Sequence, residues 1–357
     1  MTSIAKPPVR HKSSRTNGLG LTIRDYEGAM STLCAGCGHD SVTAALILAA
    51  WEMGLEPHRV GKMSGIGCSS KTTAYFMKQS HGFNSVHGRM PSVTSGAAAA
   101  NRTLTYIGIS GDGDSLSIGL GQLSHAIRRN VNMLYVLENN GVYGLTKGQF
   151  SASADIGSIS KKGEANEQSP IDPILLALTL GATFAARSFS GDKKQLVPIL
   201  KAAIAHKGFA IVDVISPCVS FNDHEGSTKS YAHTRDQSVE AVVADYLPGD
   251  FVPLTREITV SDTEEEIRVV QLHDGASVRL RATAPDYDPT NRESAYAHVR
   301  ECQQRGEIAT GLLFVDDEHG REMHDILRTV PEPLVDVPFE QLCPGKAALD
   351  KLMTRYR

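Results

Sequence analysis

The apolar positions of residues 40–218 follow two alternating periods. Helical spacing is clearest where one apolar face is formed by Val42, Ala45, Leu46, Ala49 and Met53. Continuous apolar runs, such as 133–137 and 209–215, are typical of strands that are buried on both faces. Because such strands alternate with helices, we predict an α/β fold in which a parallel sheet carries helices on both faces.

The same pattern gives approximate bounds for the elements. The predicted helices span 41–55, 115–129, 171–180, 192–207 and 292–305. The predicted strands span 59–64, 103–109, 133–137, 182–189 and 209–215. Segment 148–169 is polar, rich in glycine and serine and without period, which predicts a mobile loop. The composition changes near residue 240, so we divide the chain into a flexible arm at 1–20, a main domain at 21–240 and a smaller C-terminal region at 241–357.

Composition and charge restrict the class of protein. The chain has 357 residues, a formal net charge of −4 and 41% hydrophobic residues, as expected of an ordinary soluble globular protein. It shows no basic stripe, which disfavours a nucleic-acid partner. It has no apolar run of about 18 residues, which disfavours a membrane span. Residues 1–20 are basic and lack the apolar core of a signal peptide, so we expect a cytoplasmic protein.

Glycine-rich or polar clusters follow four of the apolar runs. They lie at 65–68, 111–113, 139–140 and 216–218. Ligands of open parallel sheets bind beyond the carboxyl ends of the strands, so we expect these clusters to converge on one edge. The sequence therefore predicts a single binding site at that edge.

The first candidate site is a magnesium and diphosphate motif. Gly111-Asp112-Gly113 is followed, after the next predicted strand, by Asn140. Magnesium prefers oxygen ligands, which the Asp112 carboxylate, the Asn140 amide and the Val142 carbonyl could supply. The two glycines let the main chain approach phosphates at the start of the next helix, whose dipole favours an anion. A turn without a ligand is the alternative for an isolated G-D-G, and a calcium loop is disfavoured because the alternating acidic ligands are absent.

The second candidate site is formed by cysteines. Six cysteines without an export signal favour a metal or redox role over a disulfide framework. Four of them could ligate a [4Fe–4S] cluster, one C-x-x-C pair and two from distant loops: Cys34, Cys37, Cys68 and Cys218. Structural zinc and buried, unligated thiols are the alternatives. The two late cysteines, Cys302 and Cys343, are expected to be ordinary core residues.

These motifs together resemble a known family. The G-D-G…N pattern is similar to that of thiamine-diphosphate enzymes, and six motifs occur in the order found in β subunits of 2-oxoacid:ferredoxin oxidoreductases. They are C-A-G-C-G-H at 34–39, G-I-G-C-S-S-K at 65–71, H-G-R at 87–89, G-D-G-D at 111–114, V-Y-G-L-T-K-G-Q at 142–149 and S-P-C-x-x-F-N at 216–222. The resemblance is strong over 20–240 and weaker later, through D-Y-D-P-T-N-R at 286–292. Ala35 and the segment 150–152 depart mildly from the family pattern.

The resemblance implies a set of cofactor residues. A thiamine-diphosphate-binding fold of the diphosphate-binding type would hold magnesium through Asp112, Asn140 and Val142 and one [4Fe–4S] cluster through the four cysteines. The thiamine diphosphate contacts implied are Ile66, Gly67, Cys68, Ser69, His87, Gly111, Gly113, Asp114, Gly144 and Leu145. Two lysines are implied near the substrate: Lys71 beside the 2-oxoacid carboxylate, and Lys147 on a loop that shapes substrate choice.

The resemblance also implies a reaction and partners. The favoured reaction is coenzyme A-dependent oxidation of 2-oxoglutarate, with an α subunit in a heterodimer or a dimer of heterodimers and with ferredoxin as electron acceptor. The activating glutamate of thiamine enzymes is expected on that α subunit, because the chain shows one α/β domain of the required kind. Pyruvate, branched or aryl 2-oxoacids are alternative substrates. A non-catalytic iron–sulfur electron carrier and a thiamine decarboxylase with structural zinc are the alternatives of other classes.

Overall fold

The fold is built around one ten-stranded sheet. The structure is a computed structural model that describes residues 13–160, 162–247, 267–271, 277–282, 287–316, 321–343 and 345–356. The strands of the sheet are β1 (Val60–Ser64), β2 (His81–Asn84), β3 (Thr105–Gly111), β4 (Met133–Asn139), β7 (Phe184–Phe189), β8 (Phe209–Ile215), β9 (Ser238–Leu247), β10 (Ile267–Gln271), β11 (Ser277–Ala282) and β12 (Ile308–Val315). Two further short strands, β5 (Val142–Tyr143) and β6 (Gln149–Phe150), pair only with each other.

The strand order is β10-β11-β9-β12-β7-β8-β4-β3-β1-β2. The six strands from β7 to β2 are mutually parallel. β12 is antiparallel to β7 and parallel to β9, and β10 and β11 extend this end as antiparallel strands. The predicted α/β class with a mostly parallel sheet is confirmed.

Helices cover the sheet on both faces. The α-helices are α1 (Gly38–Glu52), α2 (Thr72–Tyr75), α3 (Met90–Ala100), α4 (Leu120–Arg128), α5 (Pro173–Thr179), α6 (Lys193–Ala205), α7 (Tyr231–Gln237), α8 (Arg292–Gln304), α9 (Met323–Leu327), α10 (Phe339–Leu342) and α11 (Gly345–Met353). α1 packs on α6, α3 on α4, and α5 on α8. Every residue of β4 and β8 is buried, and successive strand residues point to opposite faces, so neither face of the central sheet is open to solvent. The described part of the chain contains no helix with the length and apolarity that a bilayer crossing requires.

Side-chain caps explain where several helices begin. Asp172 accepts hydrogen bonds from the first-turn amides of α5, and Asp192 and Asn291 do the same for α6 and α8. The carboxylate or amide oxygen satisfies N–H groups that have no partner inside the helix. The predicted starts of these helices are therefore within two residues of the observed ones.

One predicted helix is divided in two. The sequence predicts a continuous helix over 115–129, but Gly113–Ile118 forms a π-helical turn and α4 begins only at Leu120. The helix is divided at Gly119, where the backbone lies too close to its neighbours for a larger residue. A Cβ there would lie 2.7 Å from the Asp114 carbonyl oxygen and 2.8 Å from Gly88. The chain thus turns tightly beside the candidate site, and π-helical turns are frequent at such positions.

The sequence did not predict the strands β2, β5 and β6, the helices α2, α3, α7 and α9 to α11, or the strands from residue 238 onward. β2 is exposed at all four residues, so it carries no apolar run to reveal it. The proposed boundary at residue 240 lies within β9, which pairs with β12 in the same sheet, and the boundary stays a prediction. Of the proposed N-terminal arm, residues 1–12 lie outside the described residues, whereas the Asn17 side chain donates to Tyr26 Oη and to the Trp51 carbonyl.

Candidate cofactor site and cysteine cluster

A small cleft, with about 60 Å³ of space that water can enter, lies at the carboxyl ends of β1, β3 and β4. Most of the residues selected from the sequence line it: Ile66, Gly67, Cys68, Ser69, His87, Gly111, Asp112, Gly113, Asp114, Asn140, Val142, Gly144 and Leu145. The predicted convergence of the strand ends therefore holds, while the roles of the individual residues stay predictions.

Asp112 is a buried carboxylate surrounded by neutral donors. It is 1% exposed and accepts hydrogen bonds from the Ser153 hydroxyl at 2.6 Å, the Gly141 N–H at 2.9 Å and the Ser151 hydroxyl. These donors reach Oδ2, whereas Oδ1 has only a 3.4 Å contact from the Asn140 N–H. No lysine, arginine or histidine among the described residues forms an ion pair with it. A buried carboxylate without a cation is costly, so this site fits a bound metal ion.

Asn140 is held beside Asp112 with its amide oxygen facing the turn. Its Oδ1 accepts the Val142 N–H at 3.0 Å, and its backbone carbonyl accepts the Asn222 amide at 2.8 Å. A carbonyl oxygen has two lone pairs, so Oδ1 keeps one for a cation. The carboxylate, the amide oxygen and the nearby Val142 carbonyl are the hard oxygen ligands that magnesium prefers.

Glycines allow close packing of the residues that form the cleft wall. A Cβ on Gly113 would lie 2.5 Å from the Tyr143 ring, and the Tyr143 hydroxyl donates to the Gly113 carbonyl at 3.0 Å. A Cβ on Gly65 would lie 1.8 Å from the Asp114 carboxylate. That carboxylate accepts the Gly88 N–H at 2.7 Å, which fixes the loop that carries His87. Asp114 therefore has a structural partner as well as a place in the cleft wall.

Two of the four selected cysteines, Cys68 and Cys218, border one space at the edge of the cleft, and the turn that carries Cys34 and Cys37 contacts the Cys218 loop. A Cβ on Gly144 would lie 3.5 Å from Cys68 Sγ and 3.6 Å from Cys218 Sγ, so both sulfurs border the space above this glycine. The Cys37 N–H donates to the Cys34 carbonyl at 3.0 Å within the C-x-x-C turn. This turn contacts the Cys218 loop, because the Ser220 hydroxyl lies 3.6 Å from Cys34 Sγ and the Gly38 N–H donates to the Pro217 carbonyl at 3.3 Å.

The electrostatics of the thiols reflect this proximity. The pKa of the Cys37 thiol is raised to about 12, mainly by burial and partly by the Glu138 carboxyl and the thiols of Cys218 and Cys68, whereas a hydrogen bond from the His39 backbone opposes the shift. Burial also raises the pKa of Cys68, which the Lys71 ammonium opposes. Binding of metal would have to deprotonate these thiols.

The spacing of the thiols bears on the zinc alternative. A tetrahedral zinc with Zn–S bonds of 2.3 Å needs sulfurs about 3.8 Å apart. Within the described ranges, no three His, Cys, Asp or Glu side chains converge closely enough for a single ion. The described residues therefore show no preformed site for a single zinc ion. Of the two late cysteines, Cys302 is buried as expected, but the expectation for Cys343 is wrong because it is exposed near the C-terminal end.

The two selected lysines lie outside the cleft wall. Lys71 is half-buried three residues after Cys68, and its backbone N–H donates to the Cys68 carbonyl at 3.1 Å. Lys147 is exposed on the turn between β5 and β6 and has a positive φ of 80°, which is unusual for a residue with a Cβ. Such strain is frequent in functional loops.

A buried lysine anchors the segment that follows Cys68. Lys62 Nζ donates to the carbonyls of Thr73 and Phe76, both at 2.6 Å, and of Met77 at 3.1 Å. Burial lowers the pKa of Lys62 to about 8. The three carbonyls stabilise its ammonium form and hold this segment against β1.

Several site residues were not selected from the sequence. His39, Tyr143 and Thr146 line the cleft, and Ser151 and Ser153 hold Asp112. His39 directly follows the C-x-x-C-G and Tyr143 follows Val142, so their positions in the motifs were the available signal. The serines belong to the segment predicted as a mobile loop, and nothing local marks them as partners of Asp112.

Behind the cleft wall lies a buried acid and histidine pair. Glu138 is fully buried and His39 is 1% exposed, with His39 Nδ1 3.4 Å from Glu138 Oε2. Burial raises the pKa of Glu138 well above its usual range and lowers the pKa of His39 to about 4. Both directions favour a protonated glutamic acid beside a neutral imidazole.

Exposed apolar side chains, called the apolar rim below, lie on three segments that also contribute residues to the cleft wall. Val86 is 70% exposed, Leu145 47% and Ile118 42%. They belong to the His87 loop, the β5–β6 turn and the π-helical turn respectively. Apolar residues grouped around a site are typical of a surface that another protein covers.

Comparison with known proteins agrees with this geometry. Residues 65–214 match the family model described as the thiamine pyrophosphate enzyme C-terminal TPP binding domain. The chain is 43% identical over 203 residues to a 2-oxoacid:ferredoxin oxidoreductase subunit beta from Saccharolobus solfataricus, covering 57% of this chain and 66% of that one. It is 40% identical over 191 residues to the 2-oxoglutarate oxidoreductase subunit KorB of Mycobacterium tuberculosis, covering 53% and 51%.

A third relative and a solved structure complete the comparison. The 2-oxoglutarate synthase subunit KorB of Methanothermobacter thermautotrophicus is 31% identical over 198 residues, covering 55% of this chain and 68% of that one. The chain thus spans about half to two thirds of the length of these curated relatives. A 2-oxoglutarate:ferredoxin oxidoreductase from Magnetococcus marinus, solved with 2-oxoglutarate, coenzyme A and succinyl-CoA bound, superposes with a TM-score of 0.70 at 27% identity, covering 94% of this chain and 96% of that one. The chain therefore belongs to the family of 2-oxoacid:ferredoxin oxidoreductase β subunits.

Proposed function

We propose that the chain, together with an α subunit, oxidises 2-oxoglutarate and coenzyme A to succinyl-CoA and CO2, reversibly in principle. Two electrons leave the substrate one at a time through a [4Fe–4S] cluster to ferredoxin. The observation that carries the proposal is that Asp112, buried among neutral donors, lies at the same sheet edge as the four cysteines. A simple electron carrier would need the cysteines and not the buried carboxylate.

The residues of the cleft fit magnesium and a diphosphate. Asp112 Oδ1, Asn140 Oδ1 and the Val142 carbonyl would hold the ion, and the glycines at 111 and 113 would let phosphates approach the backbone. The ion would neutralise Asp112 and the phosphates together. When bound, thiamine diphosphate would supply the electron sink for decarboxylation.

The cysteine residues fit a cluster beside that site. Cys68 belongs both to the cleft wall and to the cysteine group, and its sulfur borders the space above Gly144 that Cys218 also borders. Cys34, Cys37, Cys68 and Cys218 would supply the four thiolates. Because Cys68 would be shared by both sites, electrons would need to travel only a short distance from substrate to cluster.

The apolar rim supports an α subunit over the cleft. Val86, Ile118 and Leu145 would be covered by that subunit, which would also exclude water from the reaction. The activating glutamate of thiamine enzymes is expected there. We expect the purified chain alone to show no 2-oxoacid-dependent ferredoxin reduction and the co-expressed pair to show it, measured with coenzyme A and a low-potential ferredoxin. Equal activity of the isolated chain would contradict this assignment.

The same assay separates the alternative functions. The co-expressed pair should contain iron and acid-labile sulfide, and it should turn over 2-oxoglutarate with a higher kcat/KM than pyruvate or branched and aryl 2-oxoacids. A pair that holds zinc without sulfide would indicate a thiamine decarboxylase. A pair that holds a cluster but binds no thiamine diphosphate would indicate an electron carrier.

Lys147 provides a test of substrate choice. A 2-oxoglutarate site must compensate the distal carboxylate, because an unpaired charge in a desolvated site is costly. We expect Lys147→Leu to raise KM for 2-oxoglutarate by at least about tenfold and KM for pyruvate much less, consistent with loss of one charged hydrogen bond of roughly 1.5–3 kcal/mol. Steady-state kinetics of the assembled pair measures both constants.

Lys162 is the matched control for this variant. It is also an exposed lysine in the loop after β6, so Lys162→Leu removes the same charge without touching the β5–β6 turn. Both constants should then be unchanged. Equal effects of Lys147→Leu on the two substrates would remove Lys147 from substrate selection.

A further inference from the structure

Three segments that carry the selected cysteines contact one buried glutamate, Glu138, or its polar neighbours. Glu138 lies on β4, the strand that leads to Asn140. Thr72, four residues after Cys68, donates its hydroxyl to both carboxyl oxygens of Glu138, at 3.0 and 3.2 Å. The Cys68 segment is thereby attached to the strand that leads to the magnesium motif.

The other two segments reach the same carboxyl group through a histidine. His39, two residues after Cys37, places Nδ1 3.4 Å from Glu138 Oε2 and 2.6 Å from Ser216 Oγ. Ser216, two residues before Cys218, donates its N–H to the Asn139 carbonyl at 2.8 Å. One group of polar contacts, the Glu138 network of Glu138, Thr72, His39 and Ser216, therefore joins all three cysteine segments to β4. Hydrogen bonds link Thr72 to Glu138 and His39 to Ser216, and a 3.4 Å contact links His39 to Glu138.

The close packing of this network leaves little space for adjustment. A Cβ on Gly38, the first residue of α1, would lie 2.5 Å from Ser216 Oγ and 2.8 Å from the Ser216 carbonyl carbon. The C-x-x-C turn is thus pressed directly against the Cys218 loop. Any displacement of His39 would move both cysteine segments together.

The stability of the fold does not require a carboxyl group at this position. Burying an acid is costly, and an apolar residue of similar volume in a central strand is often as stable or more stable. The two residues before Glu138 in β4, Val136 and Leu137, are apolar and fully buried, whereas the residue after it, Asn139, is polar and donates its side-chain amide to Asp213. A buried polar residue in this position therefore indicates a role in specifying geometry.

We propose that Glu138 is a positioning residue that fixes the three cysteine segments relative to the Asp112–Asn140 site. It touches neither the substrate nor a proposed ligand atom, and it acts through Thr72, His39 and Ser216. Groups that orient ligands in this way typically contribute 10–100-fold to metal affinity or activity. The inference depends on the proposed function, since it requires that the cysteines hold a cluster and that Asp112 holds magnesium with a diphosphate.

The test compares Glu138→Ala and Glu138→Gln in the co-expressed α/β pair. Three properties would be measured: iron and sulfide per chain, the EPR spectrum and reduction potential of the cluster, and the affinity for magnesium thiamine diphosphate. We expect Glu138→Ala to lose cluster occupancy, to change the EPR spectrum and potential of the cluster that remains, and to weaken cofactor binding about 10–100-fold. Glu138→Gln keeps an oxygen for the Thr72 hydroxyl and should restore all three properties.

Two further variants provide a control and an independent route. Glu322 is also a buried glutamate, 1% exposed, but it pairs with Arg102 and accepts the His324 N–H in α9, away from the cysteine segments. Glu322→Ala should lower thermal stability and leave the EPR spectrum, the potential and the cofactor affinity unchanged. Thr72→Val removes one hydroxyl of the Glu138 network and should reproduce part of the Glu138→Ala effect, even if Glu138→Ala does not fold.

Several results would overturn the inference. Wild-type cluster properties and cofactor affinity in Glu138→Ala or Thr72→Val would do so, as would failure of Glu138→Gln to restore them. Equal losses in Glu322→Ala would show that the effects reflect stability alone. Failure of the proposed function would give a different result. In that case the wild-type pair itself would bind neither a cluster nor thiamine diphosphate, and both proposals would be refuted.

Discussion

Replacement of Asp112 by alanine is expected to abolish magnesium-dependent retention of thiamine diphosphate. Asp112 would be the only carboxylate among the proposed magnesium ligands, and Asn140 and the Val142 carbonyl are neutral. Its removal eliminates the negative charge that compensates the ion. The loss of cofactor affinity should therefore exceed the roughly 100-fold effect of removing a group that only orients a metal ligand. Equilibrium binding of thiamine diphosphate with and without magnesium, together with turnover of the assembled pair, would measure this.

A conservative variant separates charge from packing at this position. Asp112→Asn keeps an oxygen that can accept hydrogen bonds from the Gly141 N–H and the Ser153 hydroxyl, so the local fold should be retained. It nevertheless removes the negative charge. We therefore expect Asp112→Asn to melt close to the wild type and still fail to bind the cofactor at millimolar magnesium. Normal cofactor binding by either variant would refute the magnesium assignment.

Replacement of Cys218 by alanine is expected to remove the cluster and to reduce ferredoxin reduction to background. Cys218 would supply one of four thiolates, and alanine offers no ligand. The loop itself should persist, because the Ser216 N–H still donates to Asn139 and the Asn222 amide still donates to Asn140. Iron and sulfide analysis, visible absorption and thiamine diphosphate binding would show cluster loss while the cofactor site remains.

The chain contains matched cysteine controls for this experiment. Cys302 is buried between the His298 and Arg305 side chains of the C-terminal region, and Cys343 is exposed. Cys302→Ala should lower thermal stability without loss of iron, and Cys343→Ser should change neither. Cys68→Ala should impair both cluster and cofactor binding, since Cys68 lies in both sites. Full iron content in Cys218→Ala would exclude this residue as a ligand.

Local patterns in the sequence were sufficient for the central sheet and for the identity of the candidate ligands. The buried strands β4 and β8 follow from continuous apolar runs, and the starts of α5 and α6 follow from Asp172 and Asp192 as caps. Strand ends of parallel sheets share one edge, so the clusters around Cys68, Asp112 and Asn140 could be expected to meet. These inferences succeed because each depends on a few consecutive residues or on a general rule of sheet topology.

The tertiary structure alone decided how those ligands are held. Thr72 and Glu138 are 66 residues apart, and His39 and Ser216 are 177 residues apart, yet each pair forms a buried hydrogen bond. No local pattern of apolar and polar residues in the sequence predicts such partners, because the packing of distant segments brings them together. The division of the predicted helix at Gly119 has the same origin, since it results from contact with Gly88. The sequence by itself therefore determined the candidate residues for the chemistry, and long-range packing determined their geometry, because the hydrogen bonds that orient these residues form between segments that only the folded chain brings together.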